Sequence, residues 1–189
     1  MQPTMDQGSL DAVRRLRDTT RSNTLGDMLL ASHRIHATAY PRFELQSSEF
    51  RNDELLPTRA SVDGDGSPPR LSWGILLPQP ASLVLICEDP DAPGGKPFLH
   101  WLVYGISGET QSLDSNLNDF REGLNDHGDV GFAPAAPPRG EPAHRYVFQL
   151  FALDRELSLP PGARYEQVLA AMADHLLVWG QLTGLYERP

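Results

Sequence analysis

Seventeen prolines spread through 189 residues constrain this chain more than any other feature. That frequency is well above the usual ~5%. Proline has no N–H to donate and a fixed φ, so it breaks helix interiors and is excluded from the middle of a ladder. Such a chain favours a loop-rich β architecture with few helices.

The strands that survive between the prolines can be read directly. Leu83 to Glu88 and Phe98 to Ile106 are short and apolar enough to lie inside a sheet. Arg145 to Leu153 carries Tyr146, Phe148 and Leu150 on one face and Val147, Phe151 and Leu153 on the other, so both faces are covered and the strand is central. Phe43 to Ser47 alternates after Pro41, where the compact domain begins. Beyond Pro160-Pro161-Gly162, the positions Tyr165, Val168, Leu169, Met172 and Leu176 recur at helical spacing and predict one amphipathic helix on the sheet. Val178 to Tyr186 reads as a last strand or an irregular closing segment.

Before Pro41 the pattern is weaker. Leu10, Val13 and Leu16, then Leu25, Met28 and Leu29, fall at helical spacing but are interrupted by Thr19, Thr20, Ser22 and Asn23. Residues 1–40 are therefore read as an arm, partly helical or flexible and separable from a domain spanning 41–189.

With 40% hydrophobic and 22% charged residues the chain has a globular balance and enough core for one domain. A net charge of −9 repels nucleic acid and anionic membranes. Arg14, Arg15, Arg17 and Arg21 are read as a solvated helix face. No apolar stretch approaches the ~20 residues of a membrane span, and polar Met1 to Ser9 offers no secretory h-region. Cys87, the sole cysteine, cannot form an intrachain disulfide and sits in an apolar run that suits a buried thiol. These features point to the cytoplasm.

The residues with chemistry cluster around the strand ends. Asp89-Pro90-Asp91-Ala92-Pro93 follows a strand directly, and its prolines fix the direction of two carboxylates. His100-Trp101 lies in the next strand, and His144-Arg145-Tyr146 opens the third. The stretch from Asp114 to Ala143 is too long for a mere connector, and its portion Gly131 to Gly140 has small side chains that expose backbone N–H groups. Each candidate also has a plain structural reading. The carboxylates could cap a turn through Asx bonds, and a strand histidine is commonly a core residue. No Gly-x-Ser-x-Gly, His-Glu-x-x-His or phosphate-loop motif is present.

Taken together, Asp-Pro-Asp-Ala-Pro, His-Trp, Gly123-Leu124-Asn125-Asp126 with Gly128, Pro137-Pro138, His144-Arg145-Tyr146 and Ala152-Leu153-Asp154 resemble the phosphatidylethanolamine-binding protein family. The likeness is greatest to its bacterial and archaeal branch of Raf kinase inhibitor-like proteins, and it runs from about Phe43 to Arg188. It implies a mainly β fold, a large central antiparallel sheet packed on a smaller sheet with a few peripheral helices. It also implies a small anion pocket at one end of the sheet. Here that pocket would be formed by Asp89, Asp91, His100, His144 and Tyr146, with Pro134 in the wall and Trp101 structural. Phe132 and Pro134 stand where the family usually has Tyr and Gly, which removes a hydroxyl and an N–H.

The function so implied is binding of a small anion or phosphorylated small molecule, without cofactor, metal or catalysis, with a regulatory role towards a kinase or other signalling protein. A protein partner and a homodimer are compatible with it. The rival readings are an interaction module with a vestigial pocket and an Asp/His-dependent hydrolase. The resemblance and the proline-bearing turn also suggest that Ala92-Pro93 is cis.

Overall fold

A computed structural model describes residues 24–113 and 120–188. Its strands in chain order are β1 (Leu45–Gln46), β2 (Glu54–Leu55), β3 (Leu71–Trp73), β4 (Ser82–Asp89), β5 (Phe98–Ser107), β6 (Ser112–Leu113), β7 (Arg121–Glu122), β8 (His144–Leu153) and β9 (Leu176–Tyr186). The helices are α1 (Leu25–Met28), α2 (Ala31–Arg34) and α3 (Tyr165–Met172).

Six strands form the larger sheet in the order β2-β9-β8-β4-β5-β7, antiparallel except for the parallel β2–β9 pair. A smaller antiparallel sheet has the order β1-β3-β6. β8 is central, as its two apolar faces require. One face packs Tyr146, Phe148 and Leu150 with Leu45, Leu71 and Trp73 of the small sheet. The other packs Phe151 and Leu153 with Val168, Leu169 and Met172 of α3 and with Ala31 and Ala37.

This topology assembles a site. β4 runs antiparallel to both β5 and β8, so its C-terminal end meets the N-terminal ends of those two strands. Asp89 and Asp91, the start of β5 near His100, and His144 are thereby gathered at one end of the sheet.

Three expectations are revised. Residues 24–40 are not an arm set apart at Pro41: Ala31 and Ala37 are fully buried in the core beneath α3, and the Ala31 and Ser32 N–H groups donate to buried Glu88 and Gln149. Residues 1–23, including Arg14, Arg15, Arg17 and Arg21, lie outside the described residues, as do residues 114–119 of the long loop. Leu176 belongs to β9 rather than to the helix, because Ala173 leaves the helical path (ψ 135°) and the left-handed Asp174 (φ 66°) completes the turn into the strand. Among the described residues the cis peptide is Leu77-Pro78, not Ala92-Pro93. The turn after Asp91 reverses through Gly94 (φ 104°) and Gly95 (φ 75°), where only glycine is comfortable. Among the described residues no helix is long and apolar enough to cross a membrane.

Candidate functional site

Asp89 closes β4 and divides its carboxylate between two tasks. Oδ1 accepts the Asp91 N–H at 2.8 Å, an Asx bond that shapes the turn. Oδ2 lies 2.8 Å from His144 Nδ1, and both side chains are buried. Asp89 thus shapes the turn with one oxygen and meets a second candidate residue, His144, with the other.

Burial is the strongest single influence on His144 and depresses its pKa, but the Asp89 hydrogen bond and the charges of Asp89 and Asp91 together outweigh it. The net shift is upward, towards the imidazolium. Its other nitrogen, Nε2, lies 3.7 Å from Glu141 Oε2.

His100 behaves in the opposite way. Burial lowers its pKa, and its Nδ1 lies 2.8 Å from the Ala133 carbonyl oxygen. A carbonyl can only accept, so the neutral ring carries its proton on Nδ1 and keeps Nε2 as an acceptor. The ring meets Tyr146 edge-on, with centroids 5.0 Å apart. Tyr146 is 1% exposed and its hydroxyl proton has no acceptor. Burial, followed by the charge of Asp89, raises its pKa and keeps the phenol protonated.

Two of the residues read from sequence have partners that the sequence did not give. Asp91 gives its carboxylate to Arg145: Oδ2 accepts the Arg145 N–H at 2.9 Å and Nε–H at 2.8 Å, and Oδ1 accepts from a terminal nitrogen at 2.7 Å. Neighbouring strand residues alternate faces, so His144 and Arg145 engage different carboxylates of the same turn. Pro134 packs towards Gly66, and the residue of its loop that meets the site is Ala133. Trp101 is structural as expected, donating from Nε1 to Glu122 at 2.7 Å and meeting Phe132 edge-on.

A cleft of about 370 Å³ opens beside His144, lined by Pro90 to Pro93, by Glu141 to His144 and by Thr24 to Gly26. A larger cleft of about 710 Å³ opens around Lys96, Leu124 and Tyr165. Its buried Glu88 already accepts from Ala31 N–H, Gln149 and the Tyr165 hydroxyl, so that carboxylate is committed to structure. Among the described residues no three His, Cys, Asp or Glu side chains are grouped to hold a metal ion.

Sequence reasoning missed Arg145, Glu141 and Asp27. Arg145 sits inside the quoted His-Arg-Tyr motif, but its partner Asp27 is 118 positions away. The only local hint was Thr24-x-x-Asp27, the spacing of a capping box, which α1 indeed uses.

Chemically, His144 offers a donor whose charged form Asp89 favours, Tyr146 a neutral donor and His100 an acceptor. That set complements an oxyanion, including one that retains a proton.

The phosphatidylethanolamine-binding protein family profile matches residues 46–187. A UPF0098 protein of Methanothermobacter thermautotrophicus is 40% identical over 151 residues, covering 76% of this chain and 98% of that protein. YbhB of Escherichia coli, also a UPF0098 protein, is 33% identical over 157 residues, covering 76% and 99%. Among solved structures, a phosphatidylethanolamine-binding protein homologue of Chlamydia trachomatis superposes with a TM-score of 0.72 at 36% identity, over 78% of this chain and 99% of that one. Escherichia coli YbcL, a member of the mammalian family, gives the same TM-score at 25% identity, over 78% and 99%.

Proposed function

As the chain belongs to the phosphatidylethanolamine-binding protein family, we propose that it binds a small anionic or phosphorylated ligand at the corner formed by His144, Tyr146 and His100, and that it does not turn this ligand over. The observation that carries the reading is the Tyr146 hydroxyl, buried at 1% exposure with a proton that meets no acceptor. A buried unsatisfied donor costs about 1–3 kcal/mol, and an incoming oxyanion would recover part of that. The His144 imidazolium, held by Asp89, supplies the charge complement that a neutral phenol lacks.

Binding fits this arrangement better than catalysis. The sole cysteine is fully buried, and burial is the chief reason its thiol pKa is raised, so it is no nucleophile. Among the described residues, neither His100 nor His144 hydrogen-bonds a serine or threonine that it could activate.

Tyr146→Phe removes only the hydroxyl. Inorganic phosphate titrated by calorimetry should bind the variant about 5–10-fold more weakly, one hydrogen bond's worth, with thermal stability unchanged or raised. Unchanged affinity would remove Tyr146, and with it this reading's main support.

A further inference from the structure

Residues 24–34 lie before β1 and outside the family match, yet they reach the turn that follows β4. Arg145 joins the two. Its Nε and one terminal nitrogen hold Asp91, and its terminal nitrogens hold Asp27 Oδ1 at 2.7 Å and Oδ2 at 3.3 Å. The arginine side chain is 11% exposed and each aspartate side chain 15%. Asp27 is itself fixed by the start of α1: its Oδ2 accepts the Thr24 N–H at 2.7 Å and the Thr24 hydroxyl at 3.0 Å. Gly26 packs so closely on the turn that a Cβ there would stand 2.1 Å from the Pro90 carbonyl oxygen.

These contacts form a chain of placements that ends at His144. Asp27 and Asp91 grip one planar guanidinium from two sides, which fixes its plane and with it the Asp91 carboxylate. The Asp91 N–H, 2.8 Å from Asp89 Oδ1, in turn sets the rotation of the Asp89 carboxylate, whose Oδ2 then stands 2.8 Å from His144 Nδ1. An arginine held at one edge alone keeps more rotamer freedom than one held at both. Beyond Asp91 the turn is exposed from Pro93 to Lys96 and runs through Gly94 and Gly95, so its stiffness comes from the Asp91 side.

We propose that Asp27 is a positioning residue of the anion site: acting through Arg145 and Asp91, it holds Asp89 where that carboxylate meets His144. The segment before β1 thereby governs a site to which it lends no anion-contacting group. This rests on the anion-binding reading above and adds to it how the site is controlled. The charged groups facing His144 are Asp89, Asp91 and Glu141, with His100 and Tyr146 in the same corner. Against burial, which depresses the ring's pKa, Asp89 and Asp91 favour the imidazolium. Removing the Asp27 charge leaves Arg145 wholly to Asp91, which offsets more of the Asp91 charge, and it loosens the placement of Asp89. Both effects lower the pKa of His144 and weaken anion binding near neutral pH.

The test follows the His144 imidazole resonances against pH and titrates sulfate by calorimetry at about pH 7. It uses the full-length wild type and its Asp27→Asn, Asp27→Gln and Asp27→Glu variants. All three replacements retain an acceptor for the Thr24 N–H, and Arg145 keeps Asp91 in each, so the fold should survive. A thermal melt checks it. Should Asp27→Asn not fold, Asp27→Gln carries the test, since glutamine is a residue that a capping box favours there. Both uncharged variants should bring the His144 midpoint down by at least ~0.5 pH and weaken sulfate about two- to three-fold, whereas Asp27→Glu should stay closer to wild type in both. Tyr165→Phe, on the opposite face of the sheet, should lower the melting temperature and move neither. A midpoint and a sulfate affinity unchanged in both uncharged variants, even with a lowered melting temperature, would overturn the proposal and leave the anion site standing. Sulfate that fails to bind the wild type would overturn the anion site itself, and the proposal with it.

Discussion

His144 Nδ1 and Asp89 Oδ2 lie 2.8 Å apart with each side chain only 5% exposed. They come from strand ends 55 residues apart in sequence, and the antiparallel pairing of β4 and β8 is what brings them together. A buried pair of this kind is a weak source of net stability, since desolvating both charges offsets their attraction. Its value lies in setting the protonation state of the ring.

The first prediction follows from that. Asp89→Asn should lower the pKa of His144, because burial then acts with less opposition. The native pKa is raised above 6.5, so the folded state binds this proton more tightly than the unfolded chain does. The stabilisation is fully present below the unfolded value and is lost as the pH rises through the native one. Wild type should therefore exceed the variant in stability by about 1.5–3 kcal/mol, the worth of a hydrogen bond to a charged group, on the acid side, and the gap should narrow towards pH ~9, above histidine's range. Imidazole proton resonances followed against pH, with urea unfolding at both ends, measure the two effects. A His144 pKa that stays put in the variant contradicts the assignment.

Glu88 offers a second, structural prediction. Its carboxylate is 2% exposed and accepts from Ala31 N–H at 2.8 Å, Gln149 at 2.7 Å and the Tyr165 hydroxyl at 2.7 Å. Glu88→Ala would strand three donors at about 1–3 kcal/mol each. Denaturant unfolding should show a loss of at least ~3 kcal/mol, against about 1 kcal/mol for Tyr165→Phe. Equal, small losses would mean that water replaces the carboxylate without cost.

Gly26→Ala tests whether residues 24–40 are integral to the fold. The new methyl would meet the Pro90 carbonyl oxygen, a backbone atom that cannot rotate away. Overpacking of this order costs about 1–3 kcal/mol. A urea midpoint identical to wild type would show that the segment is loosely held and would restore a boundary near Pro41.

Much of this architecture was legible in the sequence, and the part that was not has a common cause. β4, β5 and β8 could be read because a strand covered on both faces is apolar throughout, as in Leu83-Val84-Leu85-Ile86-Cys87. Asp89, His100, His144 and Tyr146 could be placed together because each sits at or near a strand end within a recognisable motif. The partner of Asp91 was not legible: Arg145 is adjacent to His144 in sequence but engages the other carboxylate of the turn. The packing of residues 24–40 was hidden for a similar reason. Ala31 and Ala37 are small and weakly patterned, and their burial follows from contacts with β4, β8 and α3 that no local spacing announces. Pairings such as Asp27 with Arg145, or Ala31 with Glu88, exist only once the sheet has formed.

The most direct test of the account is calorimetric titration of sulfate, whose charge is constant, at about pH 6 and about pH 8, either side of histidine's usual range. It should be run on the wild type and on His144→Ala. The account predicts tighter binding at the lower pH, where more of the imidazolium donor is formed, and loss of both affinity and pH dependence in the variant. Sulfate binding that is indifferent to pH and unchanged by His144→Ala would contradict it.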